Sequence, residues 1–468
     1  MLPFLPLLLG AATALAAYTP DWPSIDSRPL PGWFDDVKFG IFCHWGVYSV
    51  PAYRFVSAIG DQPDKNVVDF VNRNYKPGTT YADFAREFTA NFFNATHFRD
   101  IVEASGAKYF VLTSKHHEGF TMWPSPTSWN WNAKDTGPHR DLVGELHDAF
   151  TGSPVHFGLY FSHLEWFHPY YKSNITKYVE QVSFPQLHEI VEKYEPDVIW
   201  ADGDWGATPE QWRAQEFLAW LYNESPVKDK IVVNDRWGNG AMGNHGGFLT
   251  YADHYDPGKI LTRKWENCMT LDEESWGYRE GMTSQNVHPV HYIIEQLART
   301  VSCGGNLLLN LGPDSHGQIP AIFEDRLREL GRFLAVNEEA LYGTAPAQVQ
   351  NDTGNTWYTK RKTDNGTTLY AWILDVTQPI VLKSIEAQKE TTISVLANGK
   401  SVPFTISDDG IHIDVTPLVL ETPRNDVVIL KFDNVKEKRY GTTGTKRNWL
   451  KYYQKYLRTQ FKPHGPYQ

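Results

Sequence analysis

Residues 198–205 read VIWADGDW, an apolar run that ends in two carboxylates separated by glycine and closed by tryptophan. Asp and Gly are the usual residues of a turn after a strand, so the pattern alone allows a plain turn. A carboxylate at the mouth of a buried strand also suits chemistry. Glycoside hydrolysis generally needs two carboxyl groups, one nucleophilic or basic and one acidic. On one extended strand Asp202 and Asp204 would share a face, which leaves no room for a sugar between them. The second carboxyl should therefore arrive from another strand end. The stretch TYADHYDPGKILTRKWE (250–266) supplies Asp253, Asp256 and Glu266.

KHHEGF (115–120) sets His116, His117 and Glu118 in a row. Adjacent strand residues point to opposite faces, and neither HExxH spacing nor a cysteine cluster accompanies them, so no metal is expected. Imidazoles near a strand end can instead hydrogen-bond sugar hydroxyls. His44, followed by Trp45 and Gly46, offers the same polar tip beside an aromatic. Aromatic residues make up 14% of the chain, which suits stacking on the C–H faces of sugars and equally a large aromatic core. The net charge of −11 argues against nucleic acid as a partner. Of the three cysteines, Cys43, Cys268 and Cys303, the first lies inside an apolar strand and reads as a buried thiol.

These residues need elements to hold them. Apolar strands are predicted over 38–45, 108–116, 155–162, 197–204, 230–237 and 304–312, with helix-like segments such as 184–196 and 321–342 between or after them. Continuous apolar strands alternating with helices indicate a parallel sheet covered by helices, an α/β fold. About 300 residues in that pattern point to a (β/α)8-like barrel. Several strands end in polar or ionisable residues: His44, His116 with His117, Tyr160 with Ser162, Asp202, and Asp235 with Arg236. In a barrel those ends converge on one face, where active sites are built. That convergence turns the odds against a plain turn at 202–204.

After Tyr342 the texture becomes β-rich, and a small antiparallel β-sandwich is expected over 347–435. A basic, aromatic tail follows at 436–468. At the other end, MLPFLPLLLGAATALAAYTP resembles a secretory signal peptide over 1–17, ahead of a catalytic region at 18–346. No later run is long and apolar enough to span a membrane. Sequons at Asn94, Asn174, Asn351 and Asn365 fit a secreted, extracellular glycoprotein, with lysosome or vacuole as alternatives. A fifth, at Asn223, is compromised by the proline after Ser225.

The stretches FGIFCHWGVYSVPA, GAKYFVLTSKHHEGFTMWPSPTSWNWN, YFSHLEWFHPYY, DVIWADGDW, VVNDRWG, KWENC and GGNLLLNLGP resemble the α-L-fucosidases of glycoside hydrolase family 29, particularly the lysosomal, tissue-type branch. The resemblance runs through about residues 30–340. It implies a retaining exo-glycosidase that needs no cofactor and releases terminal α-L-fucose from fucosylated glycans or glycoconjugates. Asp202 falls on the family's nucleophile, which forms a covalent fucosyl-enzyme. His44, His116, His117, Tyr160, Trp200 and Arg236 fall on sugar-binding positions, and Trp276 on an aromatic near the sugar's methyl group. Arg236 would keep Asp202 ionised; a structural salt bridge is its other reading. The acid/base is Asp253 or Glu266, with Asp253 favoured for its flanking tyrosines and Asp256 behind both.

The chain departs from the family after VPAY (50–53), where members usually carry a Glu-Trp pair; here RFVSAIGDQPDKNVVDF has none. That departure motivates the alternative of a catalytically impaired fucose-binding protein. Retention of Asp202, Arg236 and both acid candidates argues against it.

Overall fold

The structure, a computed structural model, describes residues 17–53, 65–363, 366–421 and 426–438. Residues 1–16 of the expected leader, positions 54–64 of the divergent segment, the sequon at Asn365 and the tail from 439 onward lie outside the described residues.

Seven parallel strands form one sheet: β1 (Phe39–Cys43), β2 (Tyr109–Lys115), β3 (His156–Ser162), β4 (Val198–Asp202), β5 (Val232–Val233), β6 (Trp265–Thr270) and β7 (Gly305–Leu311). Their order is β5-β4-β3-β2-β1-β7-β6. Between the two edge strands runs the segment 247–250. There the Phe248 N–H donates to the Val233 carbonyl (3.0 Å), and the Leu249 N–H to the Lys264 carbonyl (2.9 Å). The Glu266 N–H donates back to the Leu249 carbonyl at 2.9 Å. This short stave closes the sheet into a barrel of eight.

Helices cover the outside, as right-handed βαβ crossovers require. Helix Ala95–Ala104 joins β1 to β2, Leu142–Phe150 joins β2 to β3, Phe184–Tyr194 joins β3 to β4, and Val290–Ser302 joins β6 to β7. Their starts are specified locally. The side chains of Asn94 and Asp141 accept from the backbone N–H groups three residues on, at 3.1 and 2.9 Å.

Strand alternation then sorts the core into two sets. Phe42, Val111, Tyr160, Trp200, Cys268 and Leu308 face the interior with Phe34, from the short helix before β1. Ile41, Cys43, Phe110, Leu159, Ile199 and Ala201 face the helices. Cys43 is indeed a buried thiol on the helical side. The same parity carries Val198 and Trp200 inward on β4, and so Asp202 too.

Two strand expectations change. The run 230–237 yields only two strand residues, because the Asn234 side chain takes over pairing with β4. Its amide donates to the Ala201 carbonyl (2.8 Å) and accepts from the Ala201 N–H (3.0 Å). The stretch around KWENC, not among the predicted strands, forms strand β6, and every residue of that strand is buried.

Beyond the barrel lie β8 (Ala345–Asp352), β9 (Thr356–Thr363), β10 (Gly366–Ile373), β11 (Ile380–Leu382), β12 (Ile385–Val395), β13 (Thr405–Ser407), β14 (Gly410–Ile413) and β15 (Val428–Glu437). They form antiparallel sheets in the orders β12-β15-β10-β9-β8 and β11-β14-β13, around a core of their own. The Arg299 guanidinium of helix Val290–Ser302 sits 5.0 Å over the Trp357 ring and ties the two parts together.

Candidate active site

At the C-terminal ends of the strands a cavity of about 130 Å³ is lined by Phe42, His44, His116, His117, Tyr160, Trp200, Asp202, Trp205, Arg236, Asp253 and Trp276. For scale, an apolar cavity of roughly 150 Å³ takes one benzene ring. A single pyranose is therefore the matching size. Strands β1 to β4 and the loops after β5 and β6 each contribute, so the site depends on barrel closure.

Asp202 is 7% exposed at the end of β4. It accepts from the Tyr160 hydroxyl at 2.7 Å and from the Arg236 guanidinium at 3.2 Å. His117 Nε2 stands 3.7 Å away. Burial alone would raise its pKa, but Arg236, His117 and the Tyr160 hydrogen bond outweigh it and hold the carboxyl below the ordinary value. The strand stops here because Gly203 adopts φ 91°, and a side chain at that position would press a Cβ to 2.7 Å from Leu164. Asp204 thus begins a 3-10 turn and does not continue the face of Asp202, contrary to the extended-strand expectation.

Arg236 is the junction of the site. One nitrogen donates to Asp202, another to Asp253 at 2.6 Å, and Nε donates to the Thr250 hydroxyl at 3.0 Å. The guanidinium also lies 4.6 Å over the Trp200 ring. Thr250 is itself fixed by Asp235, whose carboxylate accepts its hydroxyl (2.7 Å) and its N–H (3.0 Å).

The imidazoles are oriented by neighbouring side chains. His44 Nδ1 pairs with Asn310 Oδ1 at 2.6 Å, while the Asn310 amide donates to the Trp276 carbonyl at 2.6 Å. That network assigns the proton to His44 Nδ1 and leaves Nε2 an acceptor. His117 Nδ1 meets Ser162 Oγ at 2.7 Å. Burial lowers His44 to about 4 and also lowers His117, so both are neutral near pH 7. Among the described residues no three His, Cys, Asp or Glu side chains are grouped to hold a metal ion.

The two acid candidates separate here. Asp253 lines the cavity, with a side chain 44% exposed and the Cys268 thiol 3.8 Å away. Glu266 is sealed beneath it. It accepts from Trp200 Nε1 (2.8 Å) and the Tyr109 hydroxyl (2.7 Å), and burial pushes it up to about 7. Asp256 points elsewhere and pairs with Arg299 at 2.7 Å. Phe42 and Trp205 were not singled out from sequence. Phe42 carried a signal, since it precedes His44 by two on β1 and shares its face. Trp205 carried another, as the tryptophan that closes VIWADGDW.

The buried ionisable groups set a pH dependence of stability. Burial raises Glu118 to about 8, Glu165 and Glu266 to about 7, and Asp204 to about 6. It lowers His44 to about 4, His163 to about 3, and also His116, His117, His254 and His288. Raised carboxyls lose their stabilising share as pH rises from the ordinary carboxylate range through 6–8. Lowered imidazoles bind fewer protons in the folded state, so their share is lost as pH falls below 6.5. Between about 4.5 and 6.5 the slopes oppose and the more numerous imidazoles prevail; above 6.5 only the carboxyl slope remains. Thermal unfolding between pH 4.5 and 8 should show Tm highest at about pH 6–7. A Tm climbing steadily to pH 8 would contradict these assignments.

Residues 7–339 match the family model described as Alpha-L-fucosidase. A putative alpha-L-fucosidase of Caenorhabditis elegans is 56% identical over 89% of this chain and 92% of its own length. Plasma alpha-L-fucosidase of Rattus norvegicus is 47% identical, covering 91% and 95% respectively. A crystal structure of Thermotoga maritima alpha-fucosidase in complex with a mechanism-based inhibitor superposes with a TM-score of 0.75 at 30% identity, over 89% of this chain and 99% of that one.

Proposed function

From a chain that belongs to the α-L-fucosidases of glycoside hydrolase family 29 and is thereby a fucoside-cleaving hydrolase, we infer a retaining mechanism with Asp202 as nucleophile and Asp253 as acid/base. The observation that carries it is the single guanidinium of Arg236, which grips both carboxylates in a cavity of one-sugar size.

In this reading the ionised Asp202 attacks the anomeric carbon while Asp253 protonates the departing glycosidic oxygen. A fucosyl ester on Asp202 results. Asp253 then takes a proton from water, which attacks the anomeric carbon, displaces the Asp202 carboxylate and frees fucose with its configuration retained. Asp253 stands half-exposed on its loop, with Tyr251 and His254 in left-handed backbone on either side. Glu266 acts through Trp200 as a positioning residue. Tyr160, His44, His116, His117 and Trp276 surround the sugar, with His44 Nε2 accepting from a hydroxyl.

Leaving-group dependence tests the assignment. Asp253→Gly should cut kcat/KM on a fucosylated oligosaccharide by about 10²-fold, yet by less than tenfold on a dinitrophenyl fucoside, whose leaving group needs no proton. Equal losses on both substrates would remove Asp253 from the acid role and return Glu266 to it.

The same reading keeps a leader at 1–17, a catalytic barrel over 18–346, a sandwich over 347–435 and a tail beyond, in a secreted or lysosomal glycoprotein. Asn94 and Asn174 support it, because each uses its carbonyl oxygen to cap a helix and is exposed, so a glycan on the amide nitrogen costs no cap. Asn351 is exposed as well, whereas the Asn223 amide is held by the Tyr18 backbone. Among the described residues no helix is long and apolar enough to cross a membrane.

A further inference from the structure

A second concavity, of about 440 Å³, lies beside the fucose cavity and takes no part in the mechanism above. Its walls include the rings of Tyr81, Trp129, Trp131 and Phe167, with the hydroxyls of Thr127 and Ser128 between them. Tyr81 and Phe167 stack nearly parallel, 5.2 Å apart, so the buried Tyr81 ring backs the partly exposed Phe167 ring. Trp129 is 79% exposed, although burying an indole is worth roughly 1.5–3 kcal/mol or more. Aromatic faces carry negative potential and receive weakly positive C–H groups, as a pyranose presents. Among the described residues no lysine or arginine lines the groove, which suits a neutral ligand.

Two further observations point to an absent ligand. Glu165 stands in the groove wall, 5% exposed, with the Tyr178 hydroxyl beside its carboxyl and its Oε2 otherwise unpartnered among the described residues. The buried Tyr81 hydroxyl likewise has no hydrogen-bond partner among them. The groove is also joined to the catalytic cavity by one short segment. Between Glu165 and Phe167, Trp166 donates its N–H to the His117 carbonyl at 2.8 Å and packs its ring 5.0 Å from the His117 ring. From the other wall, Trp131 Nε1 donates to the Glu118 carbonyl at 3.0 Å. Both walls are thus anchored on the HHE stretch that shapes the fucose cavity. The volume lies within the roughly 300–1,000 Å³ of ligand sites.

We propose that this groove is a second sugar-binding site, which holds neutral pyranose units of the glycan that carries the fucose. The proposal rests on the fucosidase reading for the identity of that glycan. Trp129 is the platform, Tyr81 and Phe167 the flanking wall, and Glu165 the hydrogen-bonding group.

Trp129→Ala tests it, since so exposed a side chain can be removed without disturbing the fold. On a fucosylated biantennary N-glycan the variant should lose about five- to tenfold in kcat/KM, chiefly through KM. On 4-nitrophenyl α-L-fucoside it should match the wild type within about twofold. Equal loss on both, or loss on neither, overturns the groove assignment. Saturation-transfer NMR with the fucose-free biantennary glycan separates the groove from the catalytic reading. Pyranose signals are expected with wild type, persisting in excess fucose and vanishing in Trp129→Ala. Absence of those signals with wild type, or their displacement by fucose, overturns the proposal. A wild type that binds this glycan but leaves the aryl fucoside intact would instead count against the catalytic reading alone.

Discussion

Asp202→Gly should lower kcat on 4-nitrophenyl α-L-fucoside by about 10⁴- to 10⁶-fold, the range seen when an enzyme loses its nucleophile. The residual rate would come from the rest of the cavity, which still binds and orients the sugar. Azide should restore turnover, because the missing carboxylate leaves space above the anomeric carbon for a small anion. Attack from that side gives β-fucosyl azide, and the product's configuration is the decisive reading. The aryl group leaves unaided, so rescue does not depend on the acid/base. A variant with near wild-type activity, or one rescued to an α-configured azide, would remove Asp202 from the role.

Arg236→Met should cost about 10³-fold in kcat/KM, combining a lost donor at the nucleophile with a lost partner for Asp253. It should also move the acid limb of the pH profile. Burial is the strongest influence on Asp202, and it acts upward; Arg236 is the strongest of the opposing ones. With the cation gone the carboxyl rises, and the limb governed by its ionisation shifts to higher pH. A uniform loss at every pH would mean that Arg236 only holds the loop. Arg236→Lys is expected to rescue little, because one ammonium cannot present the flat fork that meets Asp202, Asp253 and Thr250 together.

Much of this arrangement was legible in the chain because period-2 alternation is local. A polar residue ending an apolar strand, with an inward-facing aromatic two places earlier, marks the barrel mouth: Phe42 before His44, and Trp200 before Asp202. What could not be read was whatever one segment does to another. Asn234 shortens β5 through a side-chain contact with Ala201, 33 residues away. Glu266 was a candidate acid until β6 placed it under Trp200, where a buried indole and a tyrosine claim its oxygens. The grip of Arg236 on one acid at the end of β4 and another on a loop is likewise a property of the closed barrel. The Glu-Trp departure falls largely at positions 54–64, outside the described residues.

The alternation of β4 has a consequence for how this gene can change. Val198, Trp200 and Asp202 face inward while Ile199 and Ala201 face the helices. Deleting one codon within the strand would exchange the two sets. The carboxylate would then be driven among apolar helix side chains and a methyl group left before the sugar. No compensating substitution elsewhere could repair both errors at once. Sequence drift here should therefore run through replacements, while length variation is confined to the surface connections between strands and helices.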